Sequence, residues 1–279
     1  MNYNRSQLTL NIIIDNGGSG AVPATPTSLW PLSITLGENV GFFSTGRNEL
    51  FNRIGTKEDP NIINLPEGKR IDLNAVINVA GPDSNLFVVI DWEGVEDATG
   101  YKIYRKFEGE ATYHCIGSTG GLSFIDTDPR LSIRKKTYYQ VSAFNAFGES
   151  DPTVAEWTIP LPKFNLNLVS PQNGVTGVSI TPTLQWQPIV AVGKYQYYDF
   201  YIMGKNDSYY TRYGEVGNET SVVHFGEPLQ YLKVYEWNVD YAIAYDDFYY
   251  TFPEYRAVSI AGGGTGSLNG AFEFTTQSE

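Results

Sequence analysis

From about residue 62 to residue 159 the chain alternates apolar and polar side chains in short runs, and turn residues interrupt it about every 8 to 15 residues. Alternation places successive side chains on opposite faces of an extended chain, so each run reads as a half-buried strand. The runs lie at 73–79, 86–92, 100–105, 113–116, 122–125, 137–145 and 154–159, and none repeats with a helical period. Seven such strands separated by glycine, proline, asparagine and aspartate predict a two-sheet β-sandwich. Composition agrees: 20 tyrosines, 28 glycines and only 2 methionines among 279 residues suit an all-β chain. The longest apolar runs, such as 86–90, fall far short of the roughly 20 residues a spanning helix needs.

The pattern then recurs. After Leu161-Pro162-Lys163, which reads as a short linker, come Thr181-Pro182-Thr183-Leu184-Gln185-Trp186, Tyr197-Tyr198-Asp199-Phe200-Tyr201-Ile202, Tyr235-Glu236-Trp237-Asn238-Val239 and Phe272-Glu273-Phe274-Thr275-Thr276. Trp92 and Val141 stand 49 residues apart, and Trp186 and Val239 stand 53 apart, the spacing of an internal repeat. Ahead of both repeats, Leu8, Leu10, Ile12 and Ile14 share one strand face, and Leu32, Ile34 and Leu36 share another. Two strands do not make an independent sandwich. The expected division is a β-rich N-terminal region at 1–61, one sandwich at 62–161 and a second at 162–279.

Trp92, the strand Gly100-Tyr101-Lys102-Ile103-Tyr104-Arg105 and the segment Val141-Ser142-Ala143-Phe144-Asn145-Ala146-Phe147-Gly148-Glu149-Ser150 together resemble a fibronectin type III domain. The second repeat resembles the fibronectin III-like or immunoglobulin-like modules of bacterial envelope proteins, through Pro-Thr-Leu-x-Trp, Tyr-x-Trp-x-Val and Phe-x-Phe-Thr-Thr. The resemblance implies that Trp92, Trp186 and Trp237 fill sandwich cores. It also implies a tyrosine corner four residues before the valine of the late strand, which Tyr235 satisfies and Thr137 does not. Tyr138 and Tyr139 leave a shifted corner or a bulge open in the first repeat. By the same resemblance the protein is extracytoplasmic: secreted or at the cell surface, in adhesion, carbohydrate binding or as a spacer. A lipoprotein whose leader and anchoring cysteine have been removed belongs to the same reading. The alternative from residues 1–7, which carry no apolar leader core, is a cytoplasmic protein.

Thirty-one acidic against 19 basic residues give a net charge of −12, which repels nucleic acid over most of the surface. The densest basic run, Arg134-Lys135-Lys136, reads as a solvated loop. One cysteine, Cys115, excludes an internal disulfide framework, and its strand position predicts a small buried apolar residue. His114 and Cys115 are neighbours on a strand and point to opposite faces, so they form no dyad. His224 stands in a different repeat, and no nucleophile elbow, zinc-peptidase helix or phosphate loop is present. Gly262-Gly263-Gly264-Thr265-Gly266 lacks the lysine of a phosphate loop and reads as a connection. Asp126-Thr127-Asp128 and Asp246-Asp247 could offer oxygens to calcium, but neither has the ligand count of a calcium loop. The expectation is therefore a chain that is not an enzyme and holds no cofactor or metal.

The connection after Ala244 is the most unusual segment. The family's connection here is a handful of residues, whereas this one runs near 245–268 and packs six aromatics into 245–255: Tyr245, Phe248, Tyr249, Tyr250, Phe252 and Tyr255. Long loops in compact domains tend to be functional, and tyrosine offers rigid contact area with a polar tip. These six residues are the candidate binding site for a protein or glycan partner. Folding back onto the sheet edge or the first repeat, and self-association, stay open as alternatives. Fourteen of the 20 tyrosines lie between Tyr195 and Tyr255, so the excess belongs to the second repeat. The resulting expectation is a non-catalytic extracytoplasmic binding, adhesion or spacer protein. Its alternatives are an accessory region of a polysaccharide-active enzyme, a hydrolase using Asp246, Asp247 or Glu254, or a surface-layer or fibre subunit.

Overall fold

The computed structural model describes residues 20–36, 62–64, 70–72, 86–164, 166–189, 192, 195–205, 209–216, 219–246, 257–261 and 271–279. Every regular element among them is a β-strand. In the first half these are β1 (Leu29–Leu36), β2 (Ile62–Asn64), β3 (Arg70–Asp72), β4 (Leu86–Trp92), β5 (Gly100–Phe107), β6 (His114–Thr119), β7 (Ser123–Asp126), β8 (Thr137–Asn145), β9 (Gly148–Glu149) and β10 (Glu156–Thr158). β1, β4 and β7 lie side by side in one sheet, and β10, β8, β5 and β6 in a second, with β9 also on β8. Val88, Ile90 and Trp92 from the first sheet meet Tyr101, Ile103, Tyr139, Val141 and Ala143 from the second, closing a core that Leu29 and Leu131 complete. Trp92 ends its strand inside this core with its ring 5.5 Å from that of Tyr101.

The opening strand of this sandwich is β1, which pairs with β4 from Leu29↔Trp92 to Thr35↔Leu86. A strand expected in the N-terminal region thus lies within the first sandwich, and the start expected at residue 62 leaves it out. Residues 37–85 therefore intervene between two neighbouring strands, and β2 and β3 form a hairpin within them. The runs expected at 8–15 and 73–79 fall outside the described residues.

The second half holds β11 (Leu168–Ser170), β12 (Val175–Val178), β13 (Thr183–Trp186), β14 (Tyr195–Gly204), β15 (Tyr210–Val216), β16 (Ser221–Val223), β17 (Val234–Asp246), β18 (Ala257–Ala261) and β19 (Phe272–Thr276). A three-stranded sheet, β11-β13-β16, faces strands β15, β14, β17 and β19. Leu184 and Trp186 pack against Tyr198, Phe200, Ile202, Tyr235, Trp237, Val239 and Phe274. Trp237 is fully buried and donates its indole N–H to the Pro171 carbonyl at 3.0 Å, which removes the cost of burying that donor. The tyrosine corner stands where the spacing places it: the Tyr235 hydroxyl accepts the backbone N–H of Gln230 at 2.9 Å.

β17 outruns the sandwich it belongs to. Its first part, Val234 to Trp237, pairs with β19, and its last part, Ala242 to Asp246, pairs with β18. Between them Asp199↔Tyr241 is followed by Phe200↔Val239, so Asp240 is the extra residue of a bulge. β18 then runs parallel to β1, from Ser33↔Ala257 to Leu36↔Ile260. One continuous sheet, β12-β19-β17-β18-β1-β4-β7, therefore crosses from the second sandwich into the first. This corrects the expected loop at 245–268: Tyr245 and Asp246 close a strand, and residues 257–261 form another. Residues 257–260 pair with β1 of the first repeat. Ala257, Val258 and Ser259 are fully buried there.

The joint is braced outside the sheet as well. The Ser259 hydroxyl donates to the Pro162 carbonyl at 2.7 Å, and the Arg134 N–H donates to the Pro160 carbonyl at 2.9 Å. Leu161 and Phe164 are buried in the second core. The expected linker is thus pinned at Leu161 and Pro162, while Lys163 is exposed.

Candidate binding site

Of the six aromatic residues nominated from the sequence, Tyr245 lies on β17, opposite Tyr195 on one side and Val258 on the other. Phe248, Tyr249, Tyr250, Phe252 and Tyr255 lie outside the described residues, as do Asp247, Glu254 and the glycine run 262–266. β17 and β18 pair antiparallel as far as Asp246↔Ala257.

The acidic pair Asp126 and Asp128 is committed to an internal cation. Arg105, buried on β5, donates through one guanidinium nitrogen to both Asp126 oxygens at 2.6 and 2.7 Å, and through the other to Asp128. The buried hydroxyl of Tyr139 donates to Asp126 at 2.8 Å. Arg130 donates to Asp128 from the open side at 2.9 and 3.0 Å. Hydrogen bonds from Arg130, reinforced by Arg105, hold the Asp128 carboxyl well below the usual carboxylate range. Burial first, and the Asp126 charge second, push the Tyr139 phenol well above its ordinary value. Oxygens that might have met calcium meet guanidinium instead, so Asp126-Thr127-Asp128 is a structural clamp between the two sheets. The Tyr139 hydroxyl, which a shifted corner would aim at backbone, is spent on the same clamp.

The histidines and the cysteine stand apart. His114 and Cys115 are both exposed on β6, an edge strand. The expected burial of Cys115 is overturned, and the reason is local. Ile103↔Gly117 is followed by Tyr104↔Cys115, a bulge at Ile116 that shifts the alternation at the edge. His224 is buried, with Nε2 2.9 Å from the Glu227 carbonyl and 3.2 Å from the Tyr209 hydroxyl. A carbonyl only accepts, so Nε2 carries the proton and His224 ties a turn to its neighbour.

The structure brings together a surface that the sequence did not single out. On β5, Tyr101, Ile103 and Arg105 point inward, so Lys102, Tyr104 and Lys106 line the outer face; on β8, Tyr138, Gln140 and Phe144 do the same. Register then places Lys106 opposite Tyr138, and Tyr138 opposite Trp157 of β10. The Lys106 ammonium lies 5.0 Å from the Tyr113 ring centre and 5.1 Å from that of Tyr138. Lys136 lies 5.7 Å from Tyr138 and 4.1 Å from Trp157. The last member of the basic run is thus laid over two rings rather than simply solvated. Burial raises the Tyr113 phenol above its ordinary value.

Farther along the same face, Glu149 accepts from Lys102, from Tyr104 and, at 2.6 Å, from Ser142. The Lys102 hydrogen bond, followed by those of Ser142 and Tyr104, lowers its carboxyl to about 2. The signal for this face was present as Lys-x-Tyr-x-Lys at 102–106 and Tyr138 on β8, three strands later in sequence. It became legible only once register brought those runs side by side.

The comparisons with known proteins add no function. Among solved structures, the chain is similar to the FN1–FN3 domains of chicken CNTN1, at 14% identity over 68% of this chain and 62% of that chain, with a TM-score of 0.46. It is also similar to an Fn3-like protein from Clostridium thermocellum, at 16% identity over 49% of this chain and 92% of that one, TM-score 0.27. FN3tt matches at 19% identity over 50% and 97%, TM-score 0.26. The chain thus spans less than two thirds of the CNTN1 fragment. No family model matches the chain, and no curated protein matches it. The strand order and the two tryptophan-centred cores carry the assignment. The chain folds as tandem fibronectin III-like sandwiches.

Proposed function

We propose that this chain is a non-catalytic extracytoplasmic binding and spacer protein, which holds ligand-contacting surfaces at fixed separation on a two-sandwich scaffold. The observation that carries this reading is the continuous sheet through β17, β18, β1 and β4. A catalytic pair needs two groups facing each other across a cleft, and two ionisable clusters of the first sandwich are turned to other work. Arg105, Asp126, Asp128 and Tyr139 clamp the sheets, and Glu149 is held by three donors. A rigid scaffold with loops and sheet faces outside it is the ordinary way for such a fold to recognise a partner.

The extracytoplasmic setting rests on the resemblance to envelope modules, and it joins adhesion and carbohydrate binding in the same reading. Tyr245, Phe248, Tyr249, Tyr250, Phe252 and Tyr255, at and beyond the end of β17, are one proposed contact surface for a protein or glycan. A sugar would stack its apolar face on these rings; a protein would take them as anchors. The test is a glycan array with a parallel hydrolysis assay and a pull-down from surface material. Binding without turnover that weakens at least tenfold in a Tyr249→Ala, Tyr250→Ala double variant supports the reading. Turnover that disappears in Asp247→Ala overturns it in favour of a hydrolase.

A further inference from the structure

The outer face of the β10-β8-β5-β6 sheet carries a row in which ring and cation alternate: Trp157, Lys136, Tyr138, Lys106, Tyr113. The row crosses four strands, so it spans about 14 Å of sheet. We propose that it is a binding site for an anionic polysaccharide, one whose carboxylated or sulfated sugars are spaced by neutral ones. The inference rests on the binding-module reading and adds a second surface and a ligand class to it.

Three observations select that chemistry. First, the cations are uncommitted to acids: among the described residues no carboxylate forms an ion pair with Lys106 or Lys136, although Glu108 and Glu156 are close by in sequence. Each ammonium has three donors and lies beside two rings, so at least one N–H remains for an anion. Lys102, four residues away on the same face, contrasts with them because Glu149 neutralises it.

Second, the alternation itself is informative. Both ammoniums flank the single ring of Tyr138, and a half-buried ring closes each end of the row. A glycan of alternating acidic and neutral sugars presents the matching sequence of anion and flat C–H face. An acidic peptide supplies the carboxylates without the flat faces between them. Third, the charge of the whole chain sets a limit. Duplex DNA carries one negative charge per ~1.7 Å of its axis, which a protein of net charge −12 repels beyond any local patch. A polysaccharide with sparse charges meets the two lysines and extends past them at lower cost. Arg134 and Lys135, exposed beside Lys136, add positive potential on the approach.

The experiment is calorimetric titration of the full chain at low ionic strength with a hexasaccharide of alternating glucuronate and N-acetylglucosamine. Its carboxyl-reduced counterpart is titrated alongside. The proposal expects binding that weakens with salt and is at least tenfold weaker for the reduced sugar. A Lys106→Gln, Lys136→Gln double variant, whose changes lie on the solvent side, is expected to keep the wild-type melting temperature and lose at least tenfold in affinity. Three results would overturn the inference: no binding of the charged hexasaccharide, equal binding by the double variant, or binding of polyglutamate or duplex oligonucleotide at equal affinity. Self-association that the two lysine substitutions abolish would assign the row to a second copy of the chain and also overturn it. Ligand binding on the array that the double variant retains would sink this site alone, whereas glycan turnover would sink the module reading.

Discussion

At the scale of single residues, the account turns on what buried polar groups are paired with. Arg105 sits in the core side of its sheet, 4% exposed, and its charge is tolerated there only because Asp126 and Asp128 face it. Removing the cation leaves Asp126 buried without its partner. Arg105→Met is therefore expected to cost about 3–5 kcal/mol in a urea titration. A loss under about 1 kcal/mol would show that the clamp is ornamental. The acid limb of stability has a definite sign. Asp128 and Glu149 have folded-state values below the ordinary carboxylate values of about 3.9 and 4.3. The stability they contribute is fully present above those values and is lost as the pH falls through the folded ones, about 2 for Glu149 and lower for Asp128. The urea midpoint is expected to hold from pH 7 to about pH 5 and to fall steeply below about pH 4. A Asp128→Asn, Glu149→Gln double variant should show a visibly shallower fall, and an unchanged slope would contradict the assignment.

Much at this scale was legible in the sequence, and some was not. Trp92, Trp186 and Trp237 could be placed in cores because the resemblance to fibronectin III-like modules assigns those positions to the sandwich interior. Tyr235 could be placed at the corner by its distance from Val239. Cys115 could not, because a bulge at Ile116 has no signature in a run of four residues. The inward direction of Arg105 follows from counting alternation from Tyr101, and its partners come from the end of β7 and the chain just after it, 21 and 23 residues later.

At the scale of elements, the decisive strand is β18. Five residues with alanine at each end gave no strong pattern of their own, and they were read as part of a long loop. What makes them a strand is the pair of neighbours, β17 antiparallel and β1 parallel, more than 220 residues apart in the case of Ser33 and Ala257. Nonlocal pairing of this kind leaves no trace in local periodicity. β17 runs two residues past Ala244, where the loop was expected to begin, and Tyr245 simply continues the alternation of Tyr241-Ala242-Ile243-Ala244. Val258 is fully buried and pairs with Tyr245 and Ile34. Proline there removes a backbone donor from the interior of a sheet, where proline is not accommodated. Val258→Pro is expected to detach β18 and raise amide hydrogen exchange in β1 by at least a hundredfold, while the amides of β8 and β14 keep their protection. Exchange in β1 that stays at the wild-type rate would mean that β18 does not hold it.

At the scale of the whole molecule, the repeat predicted two sandwiches and the structure adds that they share a sheet. Beads on a flexible linker would unfold separately and swing freely. Here β18 is hydrogen-bonded to both halves, Leu161 is buried in the second core, and Ser259 holds the Pro162 carbonyl. Breaking the first sandwich exposes one edge of β18, and breaking the second removes β18 from the first. The two halves are therefore coupled, which suits a protein whose binding faces must keep a fixed separation. Differential scanning calorimetry of the full chain tests this most directly. The account predicts one transition with a calorimetric-to-van't Hoff enthalpy ratio of about 1, resolving into two transitions in Val258→Pro. Two separate transitions in the unaltered chain, or a ratio of about 2, would contradict it.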